Sequence, residues 1–328
     1  MSAPAQILAP AEPKLRARNG DLFKRRTFVG SLSGGEGSWQ AIRRHVDRQG
    51  ADDLVLLFTD TIIEDQDTYR FLIAGAANLL SVALPDGFLP EISDFPAWED
   101  REAYKAFALA LAARVHELMP ALHWIADGRD PWDVYETRRF LGNSQRDPCS
   151  EHLKRILSRR WLEENCDPTG TSVILGLDHE EIERFEGGAK TPGYRARMAA
   201  DGWTAIAPLC EAPFLSWADR RARLLVEGLW QQRLSVMGFA HSNCGGHCCK
   251  GGQGHWRKLH QHFPERYDYC AQRERKLIGS LGGGVAMLKD RRAGGHRPLT
   301  LDELRTRDLA PDEASDMGAC GCFTGAAA

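Results

Sequence analysis

A chain of 328 residues, 43% of them hydrophobic, can bury a full core. At roughly 150 residues per domain it predicts one large domain with a smaller region attached. The formal charge of −3 excludes an indiscriminate polyanion binder, so any nucleic-acid contact needs a local basic surface. There is no run of about 18 apolar residues to cross a membrane, and the first residues lack the basic-then-apolar order of a signal peptide. A cytoplasmic protein is expected, in which nine cysteines serve as thiols, metal ligands or redox groups, not as a disulfide framework.

Residues 1–20, rich in Ala and Pro, read as a mobile leader. Thr27, Phe28, Val29 and Leu32 predict a strand. It meets a turn of Ser33, Gly34, Gly35, Glu36, Gly37 and Ser38, and a helical pattern opens at Trp39 and closes at Gly50. Strand, glycine loop and helix form an anion cradle. Glycines admit close backbone approach, the Ser33 and Ser38 hydroxyls are donors, and the first helical N–H groups face the anion. A plain turn is the other reading of the same residues.

Leu54 to Asp60 reads as a strand buried on both faces. Asp60, at its carboxyl end, is a candidate to orient a ribose or a Mg²⁺, or to cap the next helix. Glu64, Asp65 and Asp67 read as a solvated first helical turn. Residues 85–101 suggest a lid loop, 104–118 a helix, 121–126 and 171–178 further strands, and 205–209 a short last one. A helix over 216–234 offers Leu224, Leu225, Leu229 and Trp230 to the core. The alternation predicts an α/β fold: a doubly wound, mostly parallel sheet with helices on both faces, plus a cysteine-bearing C-terminal extension. Residues 21–235 form the nucleotide-binding domain on this reading, and 236–328 the cysteine-rich region.

Arg138, Arg139 and Arg146 precede Cys149, and Lys154 follows on a helical pattern whose inner face is Leu153, Ile156 and Leu157. A cation near a thiol favours the thiolate, which is both nucleophile and metal ligand; a buried free cysteine is the alternative. Glu180, Glu181 and Arg184, after the fourth strand, are either ligand-binding groups or an exposed i,i+3 pair. Residues 238–256 carry Cys244, Cys248 and Cys249 among six glycines, with His241, His247 and His255 as further donors. Soft ligands on a flexible loop suit a metal or a cluster. Residues 282–296 read as a linker that returns Cys320 and Cys322 to that site. The spacing admits Zn²⁺ and an iron–sulfur cluster alike.

The 33–38 loop resembles the SGGxDS loop of the PP-loop ATP pyrophosphatases and their relatives, the phosphoadenosine phosphosulfate (PAPS) reductases, in the adenine nucleotide alpha hydrolase-like superfamily. The position of the family aspartate is Gly37 here, with a carboxylate one place earlier at Glu36. Cys149-x4-Lys154 resembles the cysteine and lysine motif of sulfonucleotide reductases and related sulfurtransferases. Glu180, Glu181 and Arg184 are similar to the acidic and arginine residues that follow a later strand. Asn243 to Gln253 resembles the NCGG-x-C-x-K-x-G-Q segment of PAPS-reductase-like proteins of phages and actinobacteria. The resemblance spans about residues 27–270, and Cys166, Cys210 and Cys270 match nothing in it.

The resemblance implies ATP or another adenine nucleotide, with its phosphates on Ser33 to Ser38, its base near Asp60 and Arg184 as a further ligand. It also implies an Fe–S cluster, or Zn²⁺ in its place, on Cys149, Cys244, Cys248 and Cys322. Cys149 and Lys154 are the implied catalytic residues, with Cys320 and Cys322 as the thiols left for attack. The implied activity is ATP-dependent transfer of sulfur from a donor to a nucleic acid or a small molecule. One alternative is reduction of PAPS or adenylyl sulfate with a thiol reductant. Another is a non-catalytic Zn-stabilised scaffold that binds nucleotide or nucleic acid, with Gly37 marking lost catalysis.

Overall fold

The computed structural model describes residues 6–7, 26–189, 191–292 and 295–318. Its central sheet has the order β1-β4-β3-β2-β5-β6, with β1 at Gln6–Ile7, β2 at Thr27–Ser31, β3 at Leu54–Asp60, β4 at Leu122–Ala126, β5 at Thr171–Ile174 and β6 at Thr204–Ile206. Strands β2 to β6 pair in parallel, and β1 lies antiparallel against β4. This is the doubly wound α/β architecture expected from the alternation of elements.

Side-chain alternation on the buried strands builds two cores. Leu54, Leu56 and Phe58 of β3 pack with Trp39 and Ile42 of α1 (Glu36–Gln49) and Phe71 and Leu72 of α2 (Gln66–Leu80). Val55 and Leu57 point the other way, toward Leu157, Trp161 and Leu162 of the helical run 148–165. A strand covered on both faces has no solvent side to keep polar, so the whole run is apolar.

The acidic stretch at the start of α2 departs from the sequence expectation. Glu64, Asp65 and Asp67 are buried, not solvated. Asp65 caps α2 by accepting from the Asp67 N–H at 2.9 Å and pairs with Arg233 and Arg266, each at 2.7 Å. Those arginines lie 168 and 201 positions downstream, beyond the reach of any local pattern.

The helix expected over 216–234 ends early. It runs over Trp217–Val226, and Gly228, at φ +73°, turns the chain. Leu224 and Leu229 are buried, whereas Leu225 is exposed.

The cysteine-rich region shares the main core. Trp256, Leu259 and Tyr267 from helices Gln253–His262 and Pro264–Leu281, with Leu301 and Leu304, join the cluster that holds Leu32 and Trp39. The stretch read as a linker leads into a hairpin of Leu288–Asp290 with Arg297–Leu299, anchored by Glu274, which accepts the N–H groups of Met287 and Leu301. The chain then returns: the Asp316 carbonyl accepts from Gly254 N–H at 3.0 Å and His255 N–H at 3.3 Å. Cys320 and Cys322, and the leader apart from residues 6–7, lie outside the described residues. No helix among the described residues is long and apolar enough to cross a membrane.

Candidate functional site

In sequence order the strands run outward from β2 through β3 to β4, then resume on the other side of β2 with β5 and β6. The loops leaving β2 and β5 therefore diverge, and open α/β sheets bind ligands in the crevice this creates. A cavity of about 370 Å³ lies there. Ser31, Ser33 and Ser38 form one wall, and Gly176, Asp178, Glu180, Glu181 and Arg184 another. Lys154, Trp217, Arg220, His241 and Asn243 complete much of the lining.

The glycine loop is shaped by its own hydrogen bonds. The Ser38 hydroxyl accepts from Ser33 N–H at 3.0 Å and donates to the Gly35 carbonyl at 2.8 Å, while the Ser33 hydroxyl donates to Ser38 Oγ at 3.1 Å. Both hydroxyls thus hold the loop closed. Anion-binding capacity falls to the backbone N–H groups, because α1 starts at Glu36 and not at Trp39. Glu36, Gly37 and Ser38 then occupy the first turn, whose N–H groups have no intrahelical acceptor.

Two glycines are sterically required. Gly34 has φ +77°, and a Cβ there would lie 2.9 Å from Thr68 Cγ2. At Gly176 a Cβ would lie 2.6 Å from Ser38 Cα, so the segment just after β5 touches the start of α1.

Two carboxylates expected to bind nucleotide are engaged elsewhere. Glu36 accepts the Gln232 N–H at 2.9 Å, and burial pushes its carboxyl up. Asp60, fully buried at the end of β3, accepts from Ile62 N–H (2.7 Å), Trp124 Nε1–H (3.0 Å) and the Tyr69 hydroxyl (2.9 Å). Neither lines the cavity. Asp60 braces β3 against β4, in place of the ribose, Mg²⁺ or capping role. Of the 33–38 loop only Ser33 and Ser38 line the cavity, with Gly34, Gly35 and Gly37 outside its lining, and Arg184 lines it beside its partner Glu181.

The second distinctive stretch of the sequence meets the first at this edge. Thr68 Oγ1 donates to the Ser242 carbonyl at 3.0 Å, and the Gln232 side chain donates to the Gly34 carbonyl at 2.9 Å. A Cβ on Gly35 would lie 3.4 Å from Asn243 Oδ1. Cys244, next along, has φ +58°, an unfavourable region for a residue with a Cβ. Its N–H is held by the buried Glu64 carboxylate. Lys154 reaches the same point from a π-helical turn, Glu151–Arg155, a widened turn frequent at functional sites. Its Nζ lies 3.8 Å from Cys244 Sγ and 3.8 Å from Glu64 Oε1. Burial, opposed by Lys154 and reinforced by Asp60, pushes the Glu64 carboxyl up to about 7.

Cys149 does not line the cavity. It accepts from the Tyr135 hydroxyl at 3.2 Å, and its sulfur lies 4.0 Å from that of Cys249. A tetrahedral thiolate site with bonds of about 2.3 Å has sulfur–sulfur edges of roughly 3.8 Å, so this pair spans one edge. Among the described residues no group of three or more His, Cys, Asp or Glu is arranged to hold a metal ion. Cys322, the fourth member of the expected set with Cys149, Cys244 and Cys248, lies outside the described residues. Of the histidines considered as extra donors, His247 Nδ1 bonds the Cys244 carbonyl at 2.7 Å and His255 Nε2 the Gly246 carbonyl at 2.8 Å. Burial pushes both rings down, His255 to about 4, so both brace the loop as neutral imidazoles.

Sequence reasoning missed Glu64, Asp178, Trp217 and Arg220. Asp178 follows β5 as Asp60 closes β3, and the strand-end rule applies equally to it. Nothing local marks the other three. Comparison of the chain with protein-family models, with curated proteins and with solved structures finds no match.

Proposed function

We propose that the chain is an enzyme that binds an adenine nucleotide with its phosphates on the 33–38 loop and transfers sulfur to an acceptor. One observation carries this reading: Lys154, in the wall of the same cavity as the glycine loop, stands 3.8 Å from the sulfur of Cys244. An ammonium at that distance stabilises negative charge on sulfur. The choice of adenine rests on the resemblance of the loop to the PP-loop enzymes.

On this reading an acceptor oxygen attacks the α-phosphorus of ATP and pyrophosphate leaves. The first-turn N–H groups of α1 stabilise the developing phosphate charge. A sulfane-sulfur donor, itself a persulfide, passes its outer sulfur to the Cys244 thiolate and leaves as a thiol, and the outer sulfur of the Cys244 persulfide then attacks the activated carbon as AMP leaves. A thiol reductant splits the resulting disulfide and frees the thiolated product.

The contact between Cys149 and Cys249 favours a second reading, reduction of PAPS or adenylyl sulfate. There one thiolate attacks the sulfate sulfur and displaces the nucleotide, and a second thiol releases sulfite as the two cysteines join.

Anaerobic incubation with ATP, a sulfur donor and bulk tRNA or DNA tests the choice. Thiolation yields AMP, pyrophosphate and sulfur on the nucleic acid. Sulfite from PAPS or adenylyl sulfate with thioredoxin, without AMP from ATP, supports the reductase. Silence in both assays leaves a binding scaffold.

A further inference from the structure

Trp217 is 61% exposed, yet its attachment is rigid. It opens the helix Trp217–Val226, whose N-cap, Ser216, exchanges hydrogen bonds of 3.1 Å with Asp219 in both directions. The Arg220 guanidinium carbon lies 4.4 Å from the centre of the indole. Arg220 is itself buried and ion-paired to Asp178, and its carbonyl accepts from the Gln40 side chain at 2.9 Å. Gln40 belongs to α1, two residues beyond Ser38. The indole is thus tied to the same helix whose first turn forms the cradle.

Core packing does not call for a large aromatic ring held in solvent. A flat ring with a cation on one face and an open second face is a surface on which any nucleobase stacks. The charges of the cavity give a ligand its direction. Glu180 stands with Trp217 in the lining and disfavours phosphate, whereas Glu181 is paired to Arg184 and the 33–38 loop presents N–H donors. Glu180 is also an acceptor for an exocyclic amine.

We infer that Trp217, backed by Arg220, is the stacking surface for the base of the nucleotide whose phosphates lie on the 33–38 loop. This replaces the base position expected beside Asp60, and it rests on the nucleotide reading given above.

Calorimetric titration of the full chain with ATP and with inorganic tripolyphosphate, for wild type, Trp217→Ala and Trp217→Phe, tests it. Loss of one stacked base weakens binding by about 5- to 150-fold. Trp217→Ala is expected to lose that much for ATP and nothing for tripolyphosphate, with Trp217→Phe close to wild type. Unchanged ATP affinity in Trp217→Ala, in a wild type that binds tripolyphosphate, overturns the stacking role alone. Equal losses for both ligands also overturn it, since the ring then supports only the fold. A wild type that binds neither ligand overturns the phosphate cradle and the stacking surface together.

Discussion

The Lys154 ammonium nitrogen stands 3.8 Å from the Cys244 sulfur across 90 positions of sequence. It also faces Glu64 at 3.8 Å, so one cation serves a carboxylate and a thiol. Lys154→Met keeps much of the stem and removes the charge. Loss of the ammonium should slow alkylation of Cys244 at pH 7 by about tenfold, since the thiolate is the reactive form. Peptide mass spectrometry after timed iodoacetamide labelling measures this, and Lys154→Arg should recover part of the rate. An unchanged rate in Lys154→Met would show that the ammonium does not activate the sulfur.

Glu64 should make stability pH-dependent. Its carboxyl, ordinarily near 4.5, is raised to about 7 in the fold, chiefly by burial. The folded chain therefore keeps a proton that the unfolded chain releases as pH rises above 4.5. The stabilisation is complete below that pH and is lost as pH rises through about 7. Glu274, also raised to about 7 by burial, adds a decline of the same sign. Glu64→Gln has no such proton to lose. Urea midpoints at pH 5, 6, 7 and 8 should fall less steeply for Glu64→Gln than for wild type. Identical slopes would remove Glu64 from the account.

Gly176→Ala tests the contact between the segment leaving β5 and α1. The added methyl would sit 2.6 Å from Ser38 Cα and 2.8 Å from Ser38 N, both backbone atoms that cannot swing aside. Overpacking of this kind costs about 1–3 kcal/mol. Chemical denaturation should show that loss, and nucleotide binding should weaken with it because Ser38 N–H belongs to the cradle. Wild-type stability in Gly176→Ala would mean that segment and the helix are not in contact.

The two buried sulfurs at 4.0 Å make a specific forecast. A disulfide requires approach to about 2 Å, a small movement for this pair. Treatment of the reduced protein with diamide should link Cys149 to Cys249, and Cys249→Ser should abolish that product. Mass spectrometry of non-reduced peptides reads the outcome. A link from Cys149 to Cys244 or Cys248 instead would contradict the placement of these residues.

The fold was legible where the signal is local. Leu54 to Asp60 is apolar on both faces because both faces are covered, and that property is written in consecutive residues. The glycine loop was legible for the same reason. Its helix start was misplaced because Glu36, Gly37 and Ser38 lack apolar periodicity, although a first turn needs none. The site was less readable because its partners are remote. Asp65 looks solvated until Arg233 and Arg266 arrive, and Asp60 resembles a ligand-binding carboxylate until Trp124 and Tyr69 take its oxygens. Likewise, nothing local marks Cys249 as a neighbour of Cys149, 100 positions away, whose sulfur it approaches to 4.0 Å.

The central claim is that the 33–38 loop binds the phosphates of a nucleotide, and Gly35→Val tests it most directly. Gly35 has φ −100°, which any residue adopts, and a Cβ there meets nothing closer than Asn243 Oδ1 at 3.4 Å. The fold should survive, while the branched side chain fills the phosphate path. Gly34 is a poorer choice, since its positive φ would confound binding with strain. Calorimetric titration with ATP, alongside a thermal melt, is the measurement. The account predicts binding by wild type and a loss of at least about tenfold in Gly35→Val, equivalent to 1.4 kcal/mol, at nearly unchanged melting temperature. Equal affinity in the two proteins would contradict it.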